Sequence, residues 1–158
     1  MEKSQTTRVG VLAALALALL MAGSYFMTGS QGPEFLLVTV PSGTQLHAEV
    51  ADSPLMLHSG LAFRESLPRD WGMLFIHERA DFHRITTRQY RFPVDLIWLD
   101  EARRVLLVVE DAEPCLQDTC PSYGPPPEKA RYVLITNAGF AQQERLAVGA
   151  DLRFTLRL

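Results

Sequence analysis

The sequence predicts an α+β domain: a mostly antiparallel sheet, open or partly closed into a barrel-like form, with two short helices, preceded by one N-terminal apolar helix. Three observations carry this. Val9–Ala22 is an uninterrupted run of apolar residues and glycine, whereas the chain after Gly32 has an ordinary globular mixture. From Phe35 onward, short β-branched or alternating runs recur between Pro, Gly and Asp turn signals, the pattern of a strand-rich fold. Only two stretches carry a helix pattern.

The N-terminal part divides into a polar segment (1–8) with Lys3 and Arg8, an apolar segment (9–27), and a small-residue linker (28–34). Val9–Ala22 has the length of a signal-peptide core. Extended to Met27, it spans about 28 Å at roughly 1.5 Å per residue, enough for a thin bilayer. Ala22-Gly23-Ser24 and Thr28-Gly29-Ser30 offer cleavage sites, while Tyr25-Phe26-Met27 continues the apolar run and suits a retained anchor. Under either reading the basic residues stay inside and the domain 35–158 lies outside the cytoplasm, membrane-anchored or secreted. Leu20–Ser24 resembles a lipoprotein box, but Ser24 stands where cysteine is required, so no lipid attaches there.

Within the domain, Phe35–Val40 reads as a strand, Pro41-Ser42-Gly43 as a turn, and Thr44–Val50 as a second strand. Leu46, Ala48 and Val50 line one face of it; Gln45, His47 and Glu49 line the other. Together they form a hairpin. Ser53 at N-cap and Pro54 at N1 start a helix expected to run to about Phe63, with Leu55, Leu57 or His58, and Leu61 buried. Pro68–Gly72 is a turn and Met73–Ile76 a short strand. His83–Tyr90 is polar but compatible with a strand. Val94–Leu99 and Val105–Val109, joined by the polar turn Asp100–Arg104, form a second hairpin. Glu113–Pro127 is a loop, Arg131–Thr136 a strand, Ala138–Arg145 a short helix and Leu152–Leu156 the last strand.

Charge narrows the partners. The net charge of −3 includes Glu2, Lys3 and Arg8; without their net +1 it becomes −4. Such a domain lacks the basic face that nucleic acid requires. Cys115 and Cys120, the only cysteines, stand close together in a proline-flanked loop. In an oxidising compartment that spacing predicts a disulfide. Two cysteines with no local histidine supply half a zinc set, and His77, Asp81 and His83 match no metal-ligand spacing, so neither metal nor cofactor is expected.

Four collinear blocks give the chain a family character. They are His58–Pro68 with Gly72-Met73-Leu74-Phe75; Phe92–Asp100; Pro114-Cys115 with Asp118–Tyr123; and Tyr132-Val133-Leu134 with Asn137-Ala138-Gly139-Phe140 and Val148–Asp151. From about residue 36 to 156 the chain resembles the domain-of-unknown-function 192 family of bacteria and archaea. The resemblance implies a small β-rich domain, often exported, with no settled activity. Two departures stand out. Members typically carry Trp-Met-Lys-Asn-Thr where this chain has Thr86-Thr87-Arg88-Gln89-Tyr90. They also carry a glutamate where it has Ile135. A family site built on those groups is altered or lost here.

No nucleophile elbow, phosphate loop or dinucleotide fingerprint is present. In a regular strand, Arg84, Thr86, Arg88 and Tyr90 share one face. Two guanidinium groups beside a phenol could hold a carboxylate, phosphate or sugar acid; the alternative is a solvated sheet face. Asp95, inside an apolar strand, needs a partner, with Arg64 or Arg88 the natural candidates. The leading expectation is an envelope-facing binding or accessory domain for an anionic or saccharide ligand, using Arg64, Arg84, Arg88, Tyr90 and Asp95. The alternatives are a hydrolase or lyase acting on an envelope polymer with Asp95 as acid or base, and a structural partner of a membrane protein. The membrane itself is a partner through residues 9–27.

Overall fold

In the computed structural model the chain divides into two units, Met1–Gly32 and Pro33–Leu158, and residues 35–155 are described. The apolar segment 9–27 and the linker 28–34 lie outside them. Among the described residues no helix is long and apolar enough to cross a membrane.

The elements are β1 (Phe35–Thr39), β2 (Gln45–Ala51), α1 (Pro54–Ser59), β3 (Trp71–Asp81), β4 (Ile85–Thr86), β5 (Val94–Leu99), β6 (Val105–Ala112), β7 (Ser122–Tyr123), β8 (Ala130–Asn137) and α2 (Phe140–Gln143). Six strands make one sheet in the order β1-β2-β3-β8-β5-β6, and β4 pairs β7 in a second, two-stranded sheet. Both expected hairpins form. β1 and β2 are antiparallel with Phe35 opposite Glu49 and Thr39 opposite Gln45; β5 and β6 are antiparallel with irregularities at both ends. The exception to antiparallel pairing is β2 with β3, which run parallel with His47 beside Trp71.

Side chains alternate across the sheet, and both faces are buried. Met73 and Phe75 of β3, Leu96 and Trp98 of β5, and Val133 and Ile135 of β8 enter one core. Leu74, Ile97, Leu99, Tyr132 and Leu134 enter the other. α1 and the segment that follows it cover the first face, while α2 and the C-terminal segment cover the second.

Several expectations are corrected. The sheet does not close into a barrel: β1 and β6 are its two edges. The C-terminal segment is not a strand over Leu152–Leu156. It crosses between the two edges and bonds at single positions, Thr39 with Arg153 and Arg104 with Asp151. Leu152 and Phe154 are buried, which explains their strand-like alternation; residues 156–158 lie outside the described residues. α1 begins as expected, with Met56 N donating to Ser53 Oγ at 3.3 Å. It ends at Ser59 because Gly60 takes φ 50 and ψ −126. Met56, Leu57 and Leu61 pack inward, whereas Leu55 is 76% exposed. β3 outruns Met73–Ile76 because β8 accompanies it through a bulge to Asp81 opposite Ala130.

The polar end of β3 carries a titratable pair. The rings of His77 and His83 stack at 3.5 Å, and His77 Nε2 is buried without a partner. Burial, then the neighbouring His83 and Arg131, pull the His77 pKa down to about 4. The unfolded chain therefore binds a proton between about pH 6.5 and 4 that the fold excludes. Stability is full above that window and falls as pH drops through it. For a half-exposed ring the loss is roughly 1–2 kcal/mol. Urea melts at pH 7 and pH 4.5 should show this drop, and His77→Phe, which keeps the stack without the proton, should shrink it. An equal drop in both proteins would refute the assignment.

Candidate functional site

The expected site residues do not form one surface. Asp95 is fully buried and belongs to the second face, with Ile97 and Leu99. Its partner is not an arginine. Oδ1 accepts from Asp111 N at 3.0 Å and Oδ2 from Ala141 N at 2.8 Å. The carboxylate joins β6 to the start of α2, where the N-cap residue is Gly139 and offers no side chain. Two backbone donors satisfy the charge that Arg64 or Arg88 was expected to meet.

The face expected over Arg84, Thr86, Arg88 and Tyr90 breaks at Gln89, whose φ is 60. Arg84, Thr86 and Arg88 are exposed, but Tyr90 turns into the first core. Arg84 Nη1 donates to Gly124 O at 2.7 Å. Arg88 bridges by its backbone to Cys115, the anchor of the Cys115–Cys120 disulfide, whose sulfurs lie 2.07 Å apart. Burial raises the Tyr90 pKa, opposed by a Leu61 backbone hydrogen bond and by the Arg64 charge. Tyr90 thus stands behind Arg64 and inside the core.

Arg64 is the expected residue that does face a site. Its Nη2 donates to both oxygens of Glu49, at 2.7 and 2.8 Å. The Glu49 side chain is 9% exposed and that of Arg64 37%. A nearly buried carboxylate requires such a partner. One terminal nitrogen carries the pair, so the remaining edge of the fork is available to another acceptor.

The sheet register fixes what surrounds this pair. Glu49 lies between Phe35 of β1 and Met73 of β3. His47, two residues earlier, shares its face and stacks on Trp71 at 5.5 Å and 23°. Phe35 meets the His47 ring edge-on at 5.7 Å and lies 5.7 Å from Trp71. Phe35 is 54% and Leu37 46% exposed. Together they form an open aromatic shelf at the β1 edge, with the guanidinium at its inner side. Asp70 closes one end, its Oδ2 3.8 Å from His47 Nδ1.

Sequence reasoning missed Glu49, His47, Trp71 and Phe35. The available signal was the alternation of β2, which sets His47 and Glu49 on the face opposite Leu46 and Ala48. That face reads as solvent unless α1 and the segment after it are known to fold over it.

A family model, DUF192 (Uncharacterized ACR), matches residues 37–154. No curated protein matches the chain. Two solved structures share its fold. One is a "putative transcription regulator" from Sinorhizobium meliloti 1021, 23% identical at a TM-score of 0.69, covering 80% of this chain and 98% of its own. The other is a protein of unknown function from Novosphingobium aromaticivorans DSM 12444, 25% identical at 0.67, covering 79% and 89%.

Proposed function

The chain belongs to the DUF192 family, and from that premise and the Arg64 shelf we propose that it is an envelope-facing binding domain for an acidic saccharide. The observation that carries the reading is the half-exposed guanidinium, with one edge committed to Glu49, beside the shelf of Phe35, His47 and Trp71. Stacked aromatic rings suit the apolar face of a sugar ring, and the free fork edge suits its carboxylate. The apolar segment 9–27 and the disulfide support a place outside the cytoplasm. Asp95, held by two backbone donors inside the fold, is no longer a natural acid or base, which weakens the hydrolase alternative.

Thermal-shift measurements on the full chain with glucuronate and glucose test this. An acid at a hundred times its dissociation constant stabilises by about 2.7 kcal/mol, raising Tm by several degrees; glucose should give a much smaller shift. Arg64→Lys keeps a cation for Glu49 but loses the fork, and should abolish the preference for the acid. Trp71→Ala should abolish both shifts. Equal shifts for the two sugars, or acid binding unchanged in Arg64→Lys, would reject the reading.

A further inference from the structure

A second concavity lies on the far side of the loop that carries Asp70. It is a cleft of about 740 Å³ between the 67–70 loop, the start of β2 and α2, within the size range of small-ligand sites. Its walls are fixed. Asn137 Nδ2 donates to Leu67 O and Pro68 O, both at 3.0 Å. His47 N donates to Asp70 O at 2.8 Å, and Asp95 secures the start of α2. Leu67-Pro68 and Asn137–Phe140 belong to separate blocks of the family resemblance, yet they meet around this space.

The lining is mixed in a specific way. Arg69 and Asp70 line it from the loop and Glu144 from the end of α2, so its one cation stands across from the Glu144 carboxylate, with Asp70 at the cation's side. Between them lie the amides of Gln45 and Gln143 and the ring of Phe140. Glu144 is oriented by its neighbours: Ser42 Oγ donates to one carboxylate oxygen and Gln143 Nε2 to the other at 3.2 Å. The Ser42 bond also holds its carboxyl below the ordinary value, so it is charged at neutral pH. At Gly139, with φ +84, a Cβ would meet nothing within 4 Å; the backbone there borders open space.

We propose that this cleft is a second binding site, for a short peptide with free ends. Arg69 takes the terminal carboxylate, Glu144 takes the terminal ammonium, and the glutamine amides pair with the peptide bond. Each carboxamide supplies both a donor and an acceptor, as a peptide bond requires. A purely anionic ligand would meet the Glu144 and Asp70 carboxylates, and a purely cationic one the Arg69 guanidinium. The site stands independently of the saccharide shelf.

Calorimetric titration of the full chain with L-alanyl-L-alanine and with N-acetyl-L-alaninamide tests the assignment. The free dipeptide should bind at least about tenfold more tightly than the capped one, the effect of one lost charge-assisted contact or more. Arg69→Gln and Glu144→Gln should each weaken the dipeptide by about tenfold and leave the capped compound unaffected. Arg69 is exposed and Glu144 half-buried, and a urea melt of each variant checks separately that it folds as the parent does. Amide shifts on dipeptide addition should fall on residues 44–46, 69–70 and 137–144. No binding by the parent chain, equal binding of the two compounds, unchanged affinity in both variants, or shifts confined to other residues would each overturn the proposal.

Discussion

Asp95→Ala should lower the unfolding free energy by about 2–4 kcal/mol, because each backbone donor left unpaired away from water costs about 1–3 kcal/mol. The substitution strands Ala141 N, on a buried residue, and Asp111 N, on an exposed one, so most of the cost falls at Ala141. Both ends of the damage matter. Asp111 sits at a positive φ of 51 on β6, a conformation the Asp95 bond helps hold, and α2 has no side-chain cap of its own. Asp95→Asn keeps one acceptor but turns an amide NH₂ toward the second donor, so it should cost about half as much. Urea melts would show a lower midpoint with little change in slope, and thermal melts a fall on the order of 10 °C. A catalytic acid would behave differently, since Asp95→Asn would then leave stability intact and remove turnover. An Asp95→Ala protein as stable as the parent would refute the structural role.

The same residue shows what was legible in the sequence. That Asp95 is buried and needs a partner followed from its place in an apolar strand. The identity of the partner did not, because a backbone N–H leaves no mark in a sequence, whereas an arginine does. The hairpins were legible from local alternation across short turns. The parallel pairing of β2 with β3 was not, because it joins distant segments through a six-residue helix too short to announce a crossover. Tyr90 was assigned to the wrong face for a third reason: a left-handed Gln89 breaks the alternation, and nothing in the residue type demands it. The cysteine pair, the N-cap at Ser53 and the start of α1 depend on neighbours a few positions apart, and they were read correctly.

The family's missing glutamate can be placed on this fold. Ile135 lies opposite Met73 in β8, and Met73 lies beside Glu49 in β2. The three share one row on the first face. A carboxylate at position 135 would stand two strands, about 10 Å, from the one at Glu49. Ile135 is now fully buried among apolar neighbours, while Glu49 holds Arg64. In this chain the carboxylate facing Arg64 comes from Glu49 on β2, beside the aromatic shelf. The core around Ile135 is apolar, while the Arg64 side of the Glu49–Arg64 pair is half-exposed, where a ligand can reach it.

Gly60→Ala should be at least as damaging as the loss of Asp95, and its cost can be divided. A Cβ at Gly60 would stand 2.3 Å from Tyr90 Oη and 3.0 Å from Phe75 Cζ. The backbone there, at φ 50 and ψ −126, is one that glycine adopts and alanine resists. Overpacking contributes about 1–3 kcal/mol and backbone strain about another 1–3 kcal/mol. Tyr90→Phe alone removes the hydroxyl and its Leu61 contact, at a cost of about 1 kcal/mol. In the double variant the worst contact disappears while Phe75 and the backbone strain remain. The two substitutions should therefore cost about 1–2 kcal/mol less together than their separate effects added. Simple additivity would mean that the hydroxyl does not press on Gly60. Tyr90→Phe also separates core from site: with Oη turned toward Gly60 rather than the shelf, the variant should bind glucuronate as the parent does, whereas a ligand-contacting phenol would lose affinity with the hydroxyl.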